Sequence, residues 1–377
     1  MRVLYFGTYD RDYPRNAQVI SCLRAADVDV LELHRPIWTQ RHNWKLGFGE
    51  VVRLARAELF LTRQDVGGAD VLVVGYPGHF DMPAARRVAR GRPLIFNPLV
   101  SLYDTLVNDR RRFSPGSPAA RFLRTVDRRA FTGADVVVAD TGSHAEYFAK
   151  EFDLPPERLE VCMVGAEDRL FRPAERPTEP FRALFVGKLI PLHGLDTILD
   201  AARLAPEIPF LIVGTGQHEA MLSRRPPNVE WTPWVEYEHL PGAYQAAGCA
   251  LGIFGPSDKA ARVIPNKAFQ ALACACPLVT ADTPAARELL TEGLDALLVP
   301  RGNPEALAAA ILRLASDRAL ARRLGAAGRA TYETHASETA LGTRWRDLLE
   351  KVVERTPQPV GQLGASVTDG RGRGGAS

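Results

Sequence analysis

A chain of 377 residues is too long for one ordinary domain core and has about the length that two domains need. Its hydrophobic content of 46% and charged content of 24% lie close to globular averages, which excludes disordered and fibrous proteins. The net charge of +3 is close to balance and gives no reason to expect a nucleic-acid partner.

The N-terminal part of the chain alternates short apolar runs with longer stretches of helical spacing. The runs are Val3–Phe6, Val28–Leu33, Val71–Val74, Leu94–Phe96 and Val136–Ala139. Strands that are apolar throughout are typical of a parallel sheet covered by helices on both faces. The pattern therefore predicts a Rossmann-like α/β domain over residues 1–172.

The segment 173–180 carries three prolines, Pro173, Pro177 and Pro180, which stop both helix and strand. We interpret it as a linker, because the alternating pattern begins again directly after it. The later runs are Ala183–Val186, Phe210–Val213, Val229–Trp231, Ala250–Ile253, Leu278–Thr280 and Ala296–Val299. They predict a second Rossmann-like domain over 181–336, so that two doubly wound domains face each other across a cleft.

Three further segments with helical spacing follow, at Glu305–Ala315, Asp317–Tyr332 and Ser337–Val353. The last one belongs to a predicted C-terminal helix, 337–355, which we expect can return to the N-terminal domain. Residues 356–377 are rich in Gly, Ser, Pro and Thr and carry almost no large apolar side chains. This composition predicts a disordered tail.

The strongest motif is the strand, loop and helix between Leu184 and Leu199, whose loop contains Gly187, Lys188, His193 and Gly194. The first amides of a helix lack partners within the helix and favour an anion, and Lys188 adds a full positive charge. The motif is thus a candidate phosphate site. A tight turn with a solvated lysine would give the same pattern.

A second motif surrounds a helix that we predict to begin at Pro265, a residue suited to the first turn. Asn266, Lys267 and Gln270 share one face of that helix, and Arg262 and Lys267 bracket its N-terminus. A diphosphate needs such a cradle, because its charge grows as it leaves. A solvated basic turn is the alternative interpretation.

A third motif, between Phe210 and Glu219, places Gly214 and Gly216 after a strand. It lacks the third glycine of a dinucleotide fingerprint, and no complete fingerprint with a later ribose-binding acid is found. A dehydrogenase is therefore disfavoured.

Taken in order, these motifs resemble the retaining glycosyltransferases of the GT-B fold, family 4, over roughly Arg2 to Leu349. "FVGKLIPLHGLDTILDA" resembles the "GRL…KG" donor segment of that family, and "LIVGTG" resembles its next strand and turn. "NKAFQALACACPLVTADTPAARELL" is similar to the stretch written "LEAMACGTPVVA…E". The opening "LYFGTYDRDYPRN" resembles the first strand and loop of a subgroup of bacterial sugar transferases.

The resemblance implies a nucleotide-sugar site formed mainly by the C-terminal domain. The catalytic candidates are Arg262, Lys267 and Lys188. The donor-binding candidates are Gly7, Gly187, His193, Gly194, Gly214, Gly216, Pro265, Asn266, Gln270 and Glu288.

The sequence departs from the family pattern at the donor site. Arg262 and Gln270 stand where the family often has two Glu residues, separated by seven intervening residues, that contact the donor sugar and ribose. Lys188 replaces the usual phosphate-binding arginine, and His193 replaces the usual lysine. These exchanges leave the base and the sugar of the donor open.

By resemblance, the N-terminal domain would hold the acceptor at the ends of its strands. The candidates are Tyr9, Asp12, Tyr13, Arg15 and Asn16 in the first loop and His79, Asp81, Asn97 and Asp104 at later strand ends. Each of these residue types is, by itself, more often a turn or cap former than a binding residue.

A local basic patch lies between residues 109 and 129. Its arginines are Arg110, Arg111, Arg112, Arg121, Arg124, Arg128 and Arg129, offset by Asp109 and Asp127. The patch could make peripheral contact with an anionic membrane or bind an acidic acceptor, and a solvated helix face would give the same pattern.

The cysteines show no metal-ligand spacing, and their odd number argues against a closed disulfide framework. Met1 leads directly into an apolar run without the basic region of a signal peptide, and no apolar run reaches about 18 residues. We therefore expect a cytoplasmic protein, with possible attachment to the inner face of the membrane and without a bound metal.

The leading hypothesis is an enzyme that moves a sugar from a nucleoside-diphosphate donor to an acceptor hydroxyl, with retention and without metal or separate cofactor. The acceptor would be a glycan, a lipid-linked molecule or a small molecule. Because the acidic pair is missing, a catalytically degenerate GT-B protein that binds a nucleotide or glycan is an alternative. A sugar-nucleotide epimerase shares the architecture but fits the motifs less well.

Overall fold

The computed structural model describes residues 1–37, 48–64, 67–174 and 180–355. The predicted tail, 356–377, and most of the predicted linker, 173–180, lie outside the described residues. The predicted α/β class and the two doubly wound parallel sheets are confirmed.

The first sheet has the strand order β2-β1-β3-β4-β5-β6, and its neighbouring strands run parallel. The strands are β1 (Arg2–Gly7), β2 (Asp29–His34), β3 (Val71–Val74), β4 (Leu94–Phe96), β5 (Val136–Ala139) and β6 (Leu159–Val161). The helices of this domain are α1 (Pro14–Ala25), α2 (Phe48–Thr62), α3 (Met82–Ala89), α4 (Pro118–Gly133) and α5 (Gly142–Phe152). A π-helical turn, Asp104–Asp109, lies between β4 and α4.

The second sheet has the order β12-β11-β10-β7-β8-β9, again with parallel neighbours. Its strands are β7 (Ala183–Val186), β8 (Phe210–Val213), β9 (Val229–Thr232), β10 (Cys249–Leu251), β11 (Leu278–Ala281) and β12 (Leu297–Val299). The helices are α6 (Leu195–Leu204), α7 (Leu240–Ala246), α8 (Asp258–Arg262), α9 (Asn266–Ala273), α10 (Pro284–Arg287), α11 (Pro304–Ser316), α12 (Arg318–His335) and α13 (Glu338–Arg355).

Each sheet is buried on both faces, as continuous apolar strands require. Along β1, Leu4 and Phe6 pack into a core on one face, whereas Val3 and Tyr5 pack into a core on the other. The short strand β6 was not predicted, because its sequence contains only three residues with Glu160 at the centre.

Helix α13 crosses back to the N-terminal domain and packs against α1. Leu341, Trp345 and Leu349 are buried in the same core as Val19 and Leu23 of α1. The edge strand β6 also holds this helix, because the Glu160 carboxylate accepts a hydrogen bond from Arg344 at 3.2 Å. The carboxyl ends of the strands in both sheets meet at the cleft.

Candidate active site

The loop after β7 is shaped by close backbone contacts. Gly187 has a φ of +147°, and a Cβ on Gly214 would lie 2.0 Å from the Gly187 carbonyl oxygen. A Cβ on Gly216 would lie 2.6 Å from the carbonyl oxygen of Leu189. The predicted donor-binding glycines therefore make this loop possible, since no larger residue fits there.

His193 and Gly194 connect the loop to α6. The His193 ring is buried against Phe185, and its Nδ1 contacts the backbone oxygen of Lys188. Burial, together with the nearby Lys267 ammonium, lowers the pKa of His193 well below its usual value. A neutral imidazole therefore occupies the position where the family usually has a lysine.

Lys267 lies beneath this loop on α9. Its Nζ is 4.1 Å from the centre of the Phe185 ring, and a Cβ on Gly187 would approach it to 2.9 Å. The side chain is buried, and within the described ranges its ammonium has no hydrogen-bond partner. No charged partner offsets this burial, so desolvation lowers the pKa of Lys267 well below its usual value, and an anion bound beside it would favour the charged form.

Lys188 stays exposed at the cleft surface, next to the buried pair of His193 and Lys267. Partial burial of its ammonium and the nearby Arg110 guanidinium lower its pKa. The structure therefore brings Lys188, His193 and Lys267 together around one loop, as the family resemblance implies.

The start of α9 differs by one residue from the prediction, because Pro265 is the N-cap and Asn266 is the first helical residue. Asn266 is half-buried, and Gln270 is buried one turn farther along. The Gln270 side-chain oxygen accepts a hydrogen bond from the Tyr244 hydroxyl at 3.0 Å.

Arg262 faces the other domain. Its Nη2 lies 3.0 Å from the Asp104 carboxylate, and its guanidinium lies 4.0 Å from the centre of the Tyr147 ring. Its backbone oxygen accepts a hydrogen bond from the Thr141 hydroxyl at 2.5 Å. Arg262 and Lys267 thus have different surroundings, since only the arginine charge is balanced by a carboxylate.

Glu288 also reaches across the cleft. Its carboxylate accepts hydrogen bonds from the backbone amides of Gly142 at 2.6 Å and Ser143 at 2.8 Å, and from the Ser143 hydroxyl at 2.7 Å. The free amides at the N-terminus of α5 attract an anion, and here a carboxylate supplies it. The structure therefore places Glu288 in a contact between the domains, and its role as a donor ligand stays a prediction.

Most of the predicted acceptor residues form the framework of the first loop. Arg15 is fully buried and donates to the Asn97 side-chain oxygen at 3.2 and 2.9 Å and to the backbone oxygen of Met163 at 2.9 Å. Asn16, also fully buried, accepts hydrogen bonds from Tyr5 and from the Tyr76 amide. Arg15, Asn16 and Asn97 are fully buried, so the structure places them in the framework of the loop, and their predicted contact with an acceptor stays a prediction.

Asp81 fixes the end of β1 in the same way. Its carboxylate accepts hydrogen bonds from the amide and the hydroxyl of Thr8, both at 2.7 Å, and a Cβ on Gly7 would lie 2.3 Å from it. His79 is also buried, 3.4 Å from the Asp127 carboxylate, and burial lowers its pKa. The structure thus assigns Asp81 and His79 to the interior and requires glycine at position 7.

Three predicted acceptor residues remain. The buried Tyr9 hydroxyl donates to Glu32 at 3.2 Å. Tyr13 is half-buried and stacks on Tyr76, with ring centres 4.5 Å apart, while Asp12 is exposed. Tyr13 and Asp12 are therefore the first-loop candidates that an acceptor can reach.

Apart from Asp104, sequence reasoning missed the part of the cleft formed by the π-helical turn. Lys259 is buried and donates to the Thr105 hydroxyl, and Gln217 donates to the backbone oxygen of Arg110 at 3.1 Å. Asp109 is buried as well, and desolvation raises its pKa although Lys259 opposes the shift. No local signal distinguishes Arg110 from its neighbouring arginines, because its position depends on packing between the domains.

The predicted basic patch consequently divides into an interior and a surface part. Asp109 and Asp127 form the interior part, whereas the exposed Arg124 pairs with Glu151 at 2.6 Å. The surface part consists of Arg111, Arg112, Arg121, Arg128 and Arg129, all exposed, with Phe122 at 57% exposure among them.

No helix among the described residues is long and apolar enough to cross a bilayer. Across the same ranges, no group of three or more His, Cys, Asp or Glu side chains is placed to hold a metal ion.

Sequence models of two known protein families match the two domains. Residues 2–165 match the glycosyl transferase 4-like domain, and residues 180–317 match glycosyl transferases group 1.

Curated relatives include the amylovoran biosynthesis glycosyltransferase AmsK of Erwinia amylovora, 25% identical over 211 residues that cover 52% of each chain. The D-inositol 3-phosphate glycosyltransferase of a Nocardioides species is 28% identical over 243 residues, 55% of this chain and 52% of the relative. The chain therefore spans about half the length of the curated relatives it matches.

Solved structures share the fold over nearly the whole chain. Sucrose-phosphate synthase from Thermosynechococcus elongatus superposes with a TM-score of 0.71 at 16% identity, covering 94% of this chain and 99% of that one. Anabaena HepE in complex with UDP-glucose gives a TM-score of 0.67 at 15% identity, covering 93% and 100%. These likenesses establish the fold.

Proposed function

Since the chain belongs to the group 1 glycosyltransferases of the GT-B fold, we propose that it transfers a sugar from a nucleoside-diphosphate donor to an acceptor hydroxyl. The observation that carries this proposal is the buried, unpartnered ammonium of Lys267 beside Lys188 and His193 in the donor domain. A buried cation without a counter-charge is costly, and a bound anion would remove that cost.

The arrangement of these groups suits a departing diphosphate. The phosphate leaving group gains negative charge as the sugar bond breaks, and Lys188 and Lys267 are held in place before the reaction begins. The neutral His193 contributes a polar ring without adding to the repulsion between the two lysines. The site would therefore stabilise the transition state more than the bound donor.

Retention and independence of metal belong to the same proposal. The lysines would meet the phosphate charge that a metal ion meets elsewhere, and the donor itself would be the only small molecule required. Attack from the face of the leaving group, assisted by its phosphate oxygen, needs no separate protein base. The anomeric configuration of the product, determined by NMR, tests retention.

The donor and acceptor classes are proposed from the relatives. HepE was solved with UDP and glucose, and curated relatives act in amylovoran biosynthesis or are named for D-inositol 3-phosphate. We propose a nucleoside-diphosphate hexose as donor, with UDP as the first nucleotide to test. The acceptor would be the hydroxyl group of a glycan, a lipid-linked molecule or a small molecule.

The deciding experiment is a thermal-shift panel with UDP, GDP, ADP and dTDP, each with and without EDTA, followed by turnover of the matching sugar nucleotide. A ligand that binds only the folded state raises the melting temperature. We expect one nucleotide to do so in EDTA and its sugar nucleotide to be consumed. Binding without turnover in any acceptor screen would favour the degenerate alternative, and conversion to an epimer without transfer would favour the epimerase.

We also propose that the exposed basic surface of the N-terminal domain rests on the inner face of a membrane. Phe122 is 57% exposed and lies on the same helix as Arg121, Arg128 and Arg129. Cations near an anionic surface contribute about 1 kcal/mol each. Flotation with phosphatidylserine vesicles should carry the protein upward, and Phe122→Ser with Arg128→Ser should abolish the effect.

A further inference from the structure

The π-helical turn of the N-terminal domain is packed against the donor domain. Asp104 pairs with Arg262, and the Thr105 hydroxyl accepts from Lys259. Asp109, at the end of the turn, lies close enough to the backbone of Leu192 in the donor loop for that backbone to oppose the rise in its pKa. Three residues of one turn therefore contact three separate points of the other domain.

Arg110 follows directly after this turn and is fixed by it. Its amide donates to the Thr105 carbonyl at 3.0 Å, and its own carbonyl accepts from Gln217 at 3.1 Å. A π-helical turn is rare and is often retained at functional sites. The backbone of Arg110 is consequently held on the donor-domain side of the cleft although the residue belongs to the other domain.

The backbone of Arg110 contacts Gln217 of the donor domain, and the charge of its guanidinium acts on both sets of candidate residues. It is close enough to Lys188 and His193 to lower their pKa values, and close enough to Tyr13 and Tyr76 to oppose the rise in theirs. Its Nε is buried, and within the part of the chain that the structure describes it has no hydrogen-bond partner. Asp109 offsets part of the Arg110 charge, but a buried N–H without an acceptor is destabilising unless a ligand accepts a hydrogen bond from it.

We propose that Arg110 is a further catalytic residue, supplied by the N-terminal domain, that donates from its buried Nε to the donor diphosphate beside Lys188. This inference rests on the proposed function. The donor would then be bound by both domains, so its diphosphate would hold the cleft closed during transfer. Sequence position alone would place Arg110 with the surface arginines that follow it.

The test compares Arg110→Ala and Arg110→Lys with Arg111→Ala, which changes the exposed neighbouring arginine. Isothermal titration calorimetry measures binding of UDP and of inorganic pyrophosphate, and kcat/KM is measured with the sugar nucleotide that the wild type consumes. Arg110→Ala should weaken binding of both anions at least about tenfold and lower kcat/KM about 10²-fold. Arg110→Lys should recover part of the binding, and Arg111→Ala should match the wild type.

The outcomes separate this inference from the proposed function. Equal binding of both anions by wild type and a folded Arg110→Ala variant overturns the role of Arg110 and leaves the transferase proposal standing. Loss of pyrophosphate binding in Arg110→Ala, with no turnover by the wild type, supports Arg110 as the anion ligand and counts against transfer. A wild type that binds neither UDP nor pyrophosphate overturns both.

Discussion

The two sides of the cleft use polar residues in opposite ways. In the N-terminal domain, the fully buried Arg15 and Asn16 are joined to backbone and side-chain partners. In the donor domain, Lys267 is nearly as buried, but no described residue accepts a hydrogen bond from its ammonium. A buried polar group with all its partners stabilises the fold, whereas one without partners indicates where a ligand belongs.

Arg15→Ala should give the largest loss of stability. It leaves the buried oxygens of Asn97 and Met163 without their donors, so we expect destabilisation of about 3 kcal/mol or more, seen as a large fall in melting temperature. Arg11→Ala is the control, because Arg11 is exposed and pairs with Glu32 at the surface. Equal melting temperatures for the two variants would contradict the framework role of Arg15.

Lys267→Met should separate stability from activity. Replacing an unpartnered buried ammonium by an apolar side chain of similar length should raise the melting temperature of the ligand-free protein. It should also lower kcat/KM by about 10²-fold or more, because a donor to the leaving phosphate is lost. A Lys267→Met variant that is less stable than the wild type yet fully active would show that Lys267 stabilises the fold and does not bind the donor.

Glu58→Gln tests a protonated carboxyl group on the N-terminal side. Burial and the adjacent Asp81 raise the pKa of Glu58 from 4.5 to about 10. The folded protein thus holds a proton that the unfolded chain releases, so the stabilisation is complete below about pH 4.5 and is lost as the pH rises through about 10.

We expect the free energy of unfolding, measured by urea titration between pH 5 and 9, to fall more steeply with rising pH in the wild type than in Glu58→Gln. The difference from wild type should grow by up to about 1.4 kcal/mol per pH unit, because the amide carries no proton to release. Parallel pH profiles would show that Glu58 is ionised in the folded protein.

Glu288→Gln should have the smallest effect, because its hydrogen bonds to α5 are exposed and water can replace them. We expect a loss of about 1 kcal/mol or less, a reduction of kcat/KM of less than about tenfold, and a larger radius of gyration in solution scattering. Glu305→Gln, an exposed carboxylate in the first turn of α11, is the matched control. Unchanged scattering would show that Glu288 does not hold the domains together.

The sequence was sufficient for the elements that depend on local pattern. The predicted strands at Val71–Val74 and Ala183–Val186 have the observed bounds, because continuous apolar runs between helical segments are specific to buried parallel strands. The sequence also predicts one donor site for Lys188, His193 and Lys267, and the structure places all three around one loop, since each follows the carboxyl end of a strand or begins the next helix.

Only the tertiary structure decided which polar residues are partners. Arg262 and Asp104 are 158 residues apart, Glu288 and Gly142 are 146 apart, and Arg15 and Asn97 are 82 apart. Hydrophobic periodicity is a property of neighbouring residues, whereas hydrogen bonding and charge balance depend on which surfaces are brought together. The amino-acid pattern therefore determined the two sheets and the donor loop, and packing between the domains determined that Arg15 is framework and Arg110 belongs to the cleft.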